Sequence, residues 1–333
     1  MKPTAIIFGA NGFLGRYLTR DLTRHGYEVV AVARNRNGWS GDGMFLEWDG
    51  RTLGPWALAL EGASVVINLA GRSVNCRYNE TNRREILDSR VESTRIIGTA
   101  IAQCEVPPKV WFNSSTATLY RHAEDHGQDE WTGEQGTGFS CDVARAWEDA
   151  FFGCKTPPET RKLALRTGMV LGNQPGTVFN VLKSLTQWGL GGTMGKGNQH
   201  VSWIHVEDFL RVIRHLIDQP LIDGPVNVTA PSFPTNRELM RSFREVIGMP
   251  IGLPAAQWML KIGARVMRTE TELVLKSRWG VPTRLTNEGF RWRWPHISDA
   301  LHDLQSRPGL DTFFRAAKTR SVGARAWLPA TTR

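Results

Sequence analysis

The chain has 333 residues, of which 41% are apolar, 9% aromatic and 22% charged. That suits one large α/β domain with an appended piece or two modest domains, and excludes a small stapled scaffold, a disordered polymer and a membrane bundle. Lysine and arginine outnumber the acids 41 to 32 for a net charge of +9. Beyond Asp311, however, Arg315, Lys318, Arg320, Arg325 and Arg333 stand without an acid, so much of the excess belongs to a basic tail, 306–333. No nucleic-acid-binding motif accompanies it, and no nucleic-acid partner is expected.

From the N-terminus, residues 4–8 (TAIIF) read as a buried strand that stops at Gly9, too short to span a membrane or form a signal-peptide core. A glycine-rich turn follows, then a helix whose Leu14, Leu18 and Leu22 recur every four residues on one face. Strands are expected at 28–33, 44–48, 64–69 and 109–113, a short helix at 56–60 and a long one from about Asn82 to Cys104. This alternation predicts a Rossmann-type doubly wound parallel sheet in an α/β fold. The second half continues with a helix near 138–152, strands at 162–166 and in PVNVTA, and a glycine-rich loop at 189–197. That loop, with Lys196, reads as either a cradle for a substrate anion or a flexible lid. From about Thr235 the text turns helical, a smaller C-terminal lobe in which FRWRWP, with Trp292 and Trp294 alternating, reads as a packed strand. The expected division is a dinucleotide-binding domain over 1–180, completed by about 200–230, a substrate-side lobe over 181–305, and the tail.

Cys76, Cys104, Cys141 and Cys154 show neither C-x-x-C spacing nor matching histidine pairs, so no metal site and no disulfide framework is expected. A reducing, cytoplasmic setting and no membrane partner follow.

Gly9-Ala10-Asn11-Gly12-Phe13-Leu14-Gly15 lies between the first strand and first helix. Gly9 permits the tight turn, Gly12 lets backbone approach a pyrophosphate, and Gly15 lets the helix lie against the sheet. The helix N-terminus adds unpaired N–H groups and partial positive charge. Where an NAD site would place a carboxylate, at the end of the second strand, the chain has Arg34, with Asn35 and Arg36 after it. A guanidinium there can hold a ribose 2′-phosphate, so NADP(H) is the expected cofactor.

These features, with VVINLAG (65–71), FNSSTATLY (112–120), LRTGMVLG (165–172) and WIHVEDF (203–209), resemble the extended short-chain dehydrogenase/reductase superfamily. The likeness is closest to its atypical epimerase-like branch, whose C-terminal domain of unknown function is similar to VPTRLTNEGFRWRWP here. The resemblance implies that Leu69, Ala70 and Gly71, after Asn68, line the adenine and ribose side. It places Thr116 at the catalytic Ser/Thr position, with Ser114 and Ser115 before it. It also sets Arg166, Thr167, Gly168 and Met169 beside the nicotinamide, and His205 and Asp208 in the wall of the site.

The superfamily's Tyr-x-x-x-Lys pair is missing. Aligned on Glu148, the tyrosine position holds Ser140 and the lysine position Ala144. One helical turn normally sets phenol and ammonium on one face so that the charge lowers the phenol pKa. The remaining candidates for proton transfer are Tyr120, Cys141, Tyr78 and His205, a residue type able to titrate near neutrality but read first as a histidine hydrogen-bonded within the fold. Tyr120, Cys141 and His205 also have bland readings as strand packing, a small buried hydrophobe and a structural histidine. Two functions compete: an NADP-dependent oxidoreductase or epimerase-like enzyme acting on a small polar substrate, and a non-catalytic NADP(H)-binding sensor or regulatory module. A homodimer is compatible with either.

Overall fold

The computed structural model describes residues 2–37, 39, 41, 43–255, 272–307 and 309. Seven parallel strands form the main sheet in the order β3-β2-β1-β4-β5-β6-β9. They are β1 (Thr4–Phe8), β2 (Glu28–Ala33), β3 (Met44–Glu47), β4 (Val65–Asn68), β5 (Val110–Thr116), β6 (Arg161–Thr167) and β9 (Gly224–Val228). β1 sits between β2 and β4, with Ile6 opposite both Val30 and Val66. Unbroken apolar runs such as TAIIF and VVIN mark strands covered on both faces. Alternate residues divide between two cores. Ala5, Ile7, Ala31 and Ile67 face one, beneath Leu18 and Leu22 of α1 (Phe13–Arg24) and Phe209, Ile213 and Leu216 of α5 (Val206–Asp218). Ile6, Phe8, Val32 and Val66 face the other, beneath Ile97 and Ile101 of α2 (Glu80–Ala102) and Phe151 of α3 (Phe139–Phe152). The connections reverse direction between β1 and β4, the crevice where open α/β sheets bind ligands.

After Thr167 the chain leaves the sheet. Gly168 allows this because a Cβ there would lie 2.8 Å from the Ser202 carbonyl oxygen. β7 (Met169–Leu171) then pairs with β8 (Trp203–His205) in a two-stranded parallel sheet. This small sheet packs with α4 (Val178–Gln187), α6 (Asn236–Ile247) and α9 (Ile297–Ser306) around Phe179, Trp203, Phe243, Trp294 and Leu301. Two short helices, α7 (Glu272–Leu275) and α8 (Thr283–Asn287), complete the described C-terminal part. Thr235 starts α6 with a capping box to Glu238, which satisfies two otherwise orphaned N–H groups.

Two expectations are corrected. FRWRWP is not a strand: the buried Asp208 carboxylate accepts the Arg293 N–H at 3.0 Å and the Trp294 N–H at 2.9 Å, holding the segment in irregular form. Its backbone donors go to that carboxylate instead of to a ladder. The glycine loop is not a free lid. Met194 N–H donates to Asn236 Oδ1, Gly195 N–H to the Ala255 carbonyl, and Arg244 to the Gly191 carbonyl, tying the loop to α6 and to the segment after it. The basic tail from residue 310 onward, with residue 308, and residues 256–271 of the C-terminal lobe lie outside the described residues. No helix among the described residues is long and apolar enough to cross a membrane.

Candidate functional site

The loop after β1 is built for close approach. Gly9 has φ +77°, and a Cβ on it would sit 2.9 Å from the Leu69 carbonyl carbon. Gly15 is equally confined, its Cβ position 2.5 Å from the Gly9 oxygen, so α1 begins directly under the loop. No side chain caps α1 at Gly12 and no acid stands in its first turn. The first N–H groups therefore face the crevice with their partial positive charge. Asn11 Nδ2 donates to the Asn35 carbonyl at 2.5 Å, joining the glycine loop to the segment after β2. Arg34 is exposed at the end of β2, while Arg36 lies 5.8 Å over the Phe45 ring. Leu69 N–H bonds to the Phe8 carbonyl and Ala70 N–H to Asn68 Oδ1. Asn68 in turn donates to Asn113 at 2.7 Å in a buried network with Thr94. Phe13 and Leu14 are half-buried behind the loop, and Gly71 is exposed with Arg90 beside it. These residues fit a dinucleotide: the cradle has space only because side chains are absent, and its donors are backbone N–H groups.

At the end of β5 the half-buried Thr116 donates through Oγ1 to Thr118 Oγ1 at 2.9 Å. Arg278 Nε donates to the same Thr118 oxygen at 3.0 Å. Facing this pair is the start of α3. Ser140 Oγ donates to Glu272 Oε2 at 3.0 Å, and its hydroxyl also hydrogen-bonds the Tyr78 phenol. Lys276 Nζ donates to Cys141 Sγ at 2.8 Å and lies 3.8 Å from Glu272 Oε1. Cys141 is fully buried and donates to the Thr118 carbonyl. Burial lowers the pKa of the Arg278 guanidinium and raises that of the Tyr78 phenol. The C-terminal segment thus delivers an acid, an ammonium and a guanidinium to the helix start where Tyr-x-x-x-Lys is missing. Sequence reasoning missed Thr118, Glu272, Lys276 and Arg278. The charges in TETELVLKSRWG were visible, but nothing local in the chain says where that segment returns.

Other expected site residues lie in the core. Tyr120 is fully buried, so it points neither outward nor into the crevice. Its hydroxyl donates to Asn227 Oδ1 at 2.8 Å and accepts from Arg166 Nη1 at 3.0 Å, and burial pushes its pKa up to about 12. The Arg166 side chain forms a bidentate buried pair with Glu148, at 2.7 and 2.9 Å, which outweighs the desolvation penalty and holds the guanidinium charged. Ser115 donates to the same carboxylate at 2.5 Å. Side chains of Ser115 and Arg166 therefore join β5, β6 and α3 and do not face a cofactor; only their backbone remains on the strand ends with Ser114 and Thr167. Met169 begins β7 and packs against the core of the small sheet, with Phe179, Trp203 and Phe243.

His205 does not titrate near neutrality. Burial, then the charges of Arg307 and Arg293, push its pKa down to about 3. It stacks on Trp294 with centroids 3.9 Å apart, and its Nδ1 accepts the Glu207 N–H, capping α5. Tyr120 and His205 are thus held by the fold, Cys141 is buried behind Thr118, and the half-buried Thr116 and Tyr78 remain.

Comparison with known proteins agrees with this geometry. Residues 5–150 match the NAD dependent epimerase/dehydratase family, and residues 255–304 match the domain of unknown function DUF1731. Over residues 5–150 the chain is thus similar to the NAD-dependent epimerase/dehydratase family. Among its relatives, human epimerase family protein SDR39U1 is 29% identical over 305 residues, 90% of this chain and 98% of the human one. Epimerase family protein YfhF of Bacillus subtilis is 29% identical over 302 residues, 89% of this chain and 96% of its own length. The crystal structure of human SDR39U1 with NADPH superposes with a TM-score of 0.80 at 27% identity, covering 91% of this chain and all of that one. A nucleoside-diphosphate sugar epimerase structure from Corynebacterium glutamicum gives a TM-score of 0.73 at 26% identity, covering 99% of this chain and 63% of that one.

Proposed function

We propose that this chain belongs to the epimerase family and is an NADP(H)-dependent oxidoreductase or epimerase-like enzyme acting on a small polar substrate at the strand ends. The observation that carries the reading is the glycine cradle of Gly9, Gly12 and Gly15 beside an exposed Arg34, a pyrophosphate site with a guanidinium where NAD recognition wants an acid. The NADPH in the human relative's structure supports the choice of cofactor. When bound, the cofactor supplies hydride transfer. The chain's part is then to hold the substrate oxygen with the Thr116–Thr118 hydroxyls, to exclude water, and to supply a proton. A second reading, an NADP(H)-binding sensor without turnover, is favoured by one observation: Ala144 stands where the lysine would and is fully buried.

Titration of the purified chain with NADPH and NADH by tryptophan fluorescence tests the cofactor, and loss of the reduced-nicotinamide absorbance over a panel of carbonyl and sugar-nucleotide compounds tests turnover. Quenching by NADPH at lower concentration than by NADH, followed by oxidation with a panel member, is the expected result. Binding without oxidation by any member favours the sensor, and the absence of binding overturns both.

A further inference from the structure

We propose that Tyr78 is the proton donor of this site and that Ser140 and Glu272 form the relay behind it. The proposal rests on the NADP(H) reading above and names the group that replaces the missing helical tyrosine. Tyr78 comes from the segment between β4 and α2, yet its phenol meets the hydroxyl of Ser140, the residue at the tyrosine position of α3. It is held there on two sides: its ring packs edge-on against Phe139 with centroids 4.9 Å apart, and Arg83 Nε donates to the Tyr78 carbonyl at 2.8 Å. Ser140 passes its hydrogen bond on to Glu272 Oε2 at 3.0 Å, and the Glu272 side chain is 32% exposed, so the chain of oxygens runs from the crevice to water.

Phenolate charge has more than one cation near it where the superfamily uses one: Arg83 lies 6.0 Å over the Tyr78 ring. Arg278 acts on Tyr78 electrostatically and also donates to Thr118, so one guanidinium touches both halves of the site. Arg90, buried beside Gly71 and over the Trp147 ring, also interacts electrostatically with Tyr78. Cys76 and Glu272 oppose them. Burial keeps the resting phenol protonated, the form a donor needs. In the donating direction the Tyr78 O–H bond breaks, its proton goes to the substrate oxygen as that oxygen gains an electron pair from hydride addition to its carbon, and the pair from the broken bond stays on the phenolate. Reprotonation is one concerted shift: a hydronium ion from solvent protonates Glu272 and leaves water, the Glu272 proton passes to Ser140 as the Ser140 proton passes to the phenolate, and Glu272 ends ionised as it began.

The chain has four tyrosines, Tyr17, Tyr27, Tyr78 and Tyr120, few enough for ring-carbon NMR of the full chain with labelled tyrosine. Tyr78→Phe assigns the Tyr78 resonance, and its titration midpoint is then followed in the wild type, Ser140→Ala and Glu272→Gln. Removing the Ser140 hydrogen bond raises the midpoint and removing the Glu272 charge lowers it, each by roughly half a pH unit or more. Opposite shifts of this kind, together with a Tyr78 resonance that moves on saturation with NADP+, support the proposal. A midpoint indifferent to both substitutions in a protein that still quenches normally with NADPH overturns the relay and leaves the NADP(H) reading intact. Absence of NADP(H) binding overturns the donor role together with that reading, whichever way the midpoints move.

Discussion

Arg34 and His205 illustrate how differently two basic side chains are used. Arg34 is exposed, with no structural task that its burial would reveal. The proposed function gives it recognition of the 2′-phosphate, and Arg34→Asp is then expected to reduce the preference for NADPH over NADH by roughly 10–100-fold, the value of a charge-assisted hydrogen-bond pair, read by fluorescence titration with both nucleotides. An unchanged preference would mean that another group holds the 2′-phosphate. His205 is the reverse case, neutral inside the fold. Its folded pKa of about 3 lies below the unfolded value of 6.5, so the unfolded chain binds the proton first and stability falls as the pH drops from about 6.5 towards 3. The penalty at pH 5 is about 2 kcal/mol. His205→Asn keeps an oxygen to cap α5 and removes the titration. Urea unfolding at pH 8 and pH 5 is therefore expected to show a smaller loss of stability in the variant than in the wild type, although the lost stacking on Trp294 lowers its stability at pH 8.

At the scale of elements, the joint between β1 and α1 is the least tolerant part of the cofactor cradle. Adding one methyl group to Gly9 places it 2.9 Å from the backbone of Leu69 at a φ of +77°, a conformation that costs a side-chain-bearing residue about 1–3 kcal/mol. Gly9→Ala is expected to abolish NADPH quenching at concentrations that saturate the wild type while the circular dichroism spectrum keeps its helical and strand content. Retained tight binding would show that the loop shifts without cost. The start of α3 is organised differently. Glu148 anchors the helix to β5 and β6 through Ser115 and Arg166, which leaves Phe139, Ser140 and Cys141 at its N-terminal end to meet segments from elsewhere in the chain.

For the whole molecule, the crevice draws on residues from 9 to 278, so a ligand there ties together β1, the segment before α2, α3 and the C-terminal part. A ligand that binds only the folded form at 100 times its Kd adds about 2.7 kcal/mol. NADPH is accordingly expected to raise the thermal midpoint by a few degrees, with NADH giving a smaller rise at equal concentration. Equal shifts from both nucleotides would contradict the Arg34 reading.

The local text was enough for the large sheet and the cradle. Buried parallel strands are continuous apolar runs, a phosphate turn requires glycines at set intervals, and both signals are confined to a few neighbouring residues, as TAIIF and Gly9, Gly12 and Gly15 are. The loss of the Tyr-x-x-x-Lys pair was equally visible, because it is a one-turn spacing on a single helix. What replaces it was decided only by the tertiary structure: Tyr78, Ser140, Glu272, Lys276 and Arg278 come from three distant segments, and no periodicity records that they meet. The same holds for Tyr120 and His205, whose residue types suggest proton transfer. Their chemistry is set by neighbours remote in sequence, Asn227 and Arg166 for the first, Trp294 and Arg307 for the second, because burial and hydrogen-bond partners control a side chain's acidity more than its identity does.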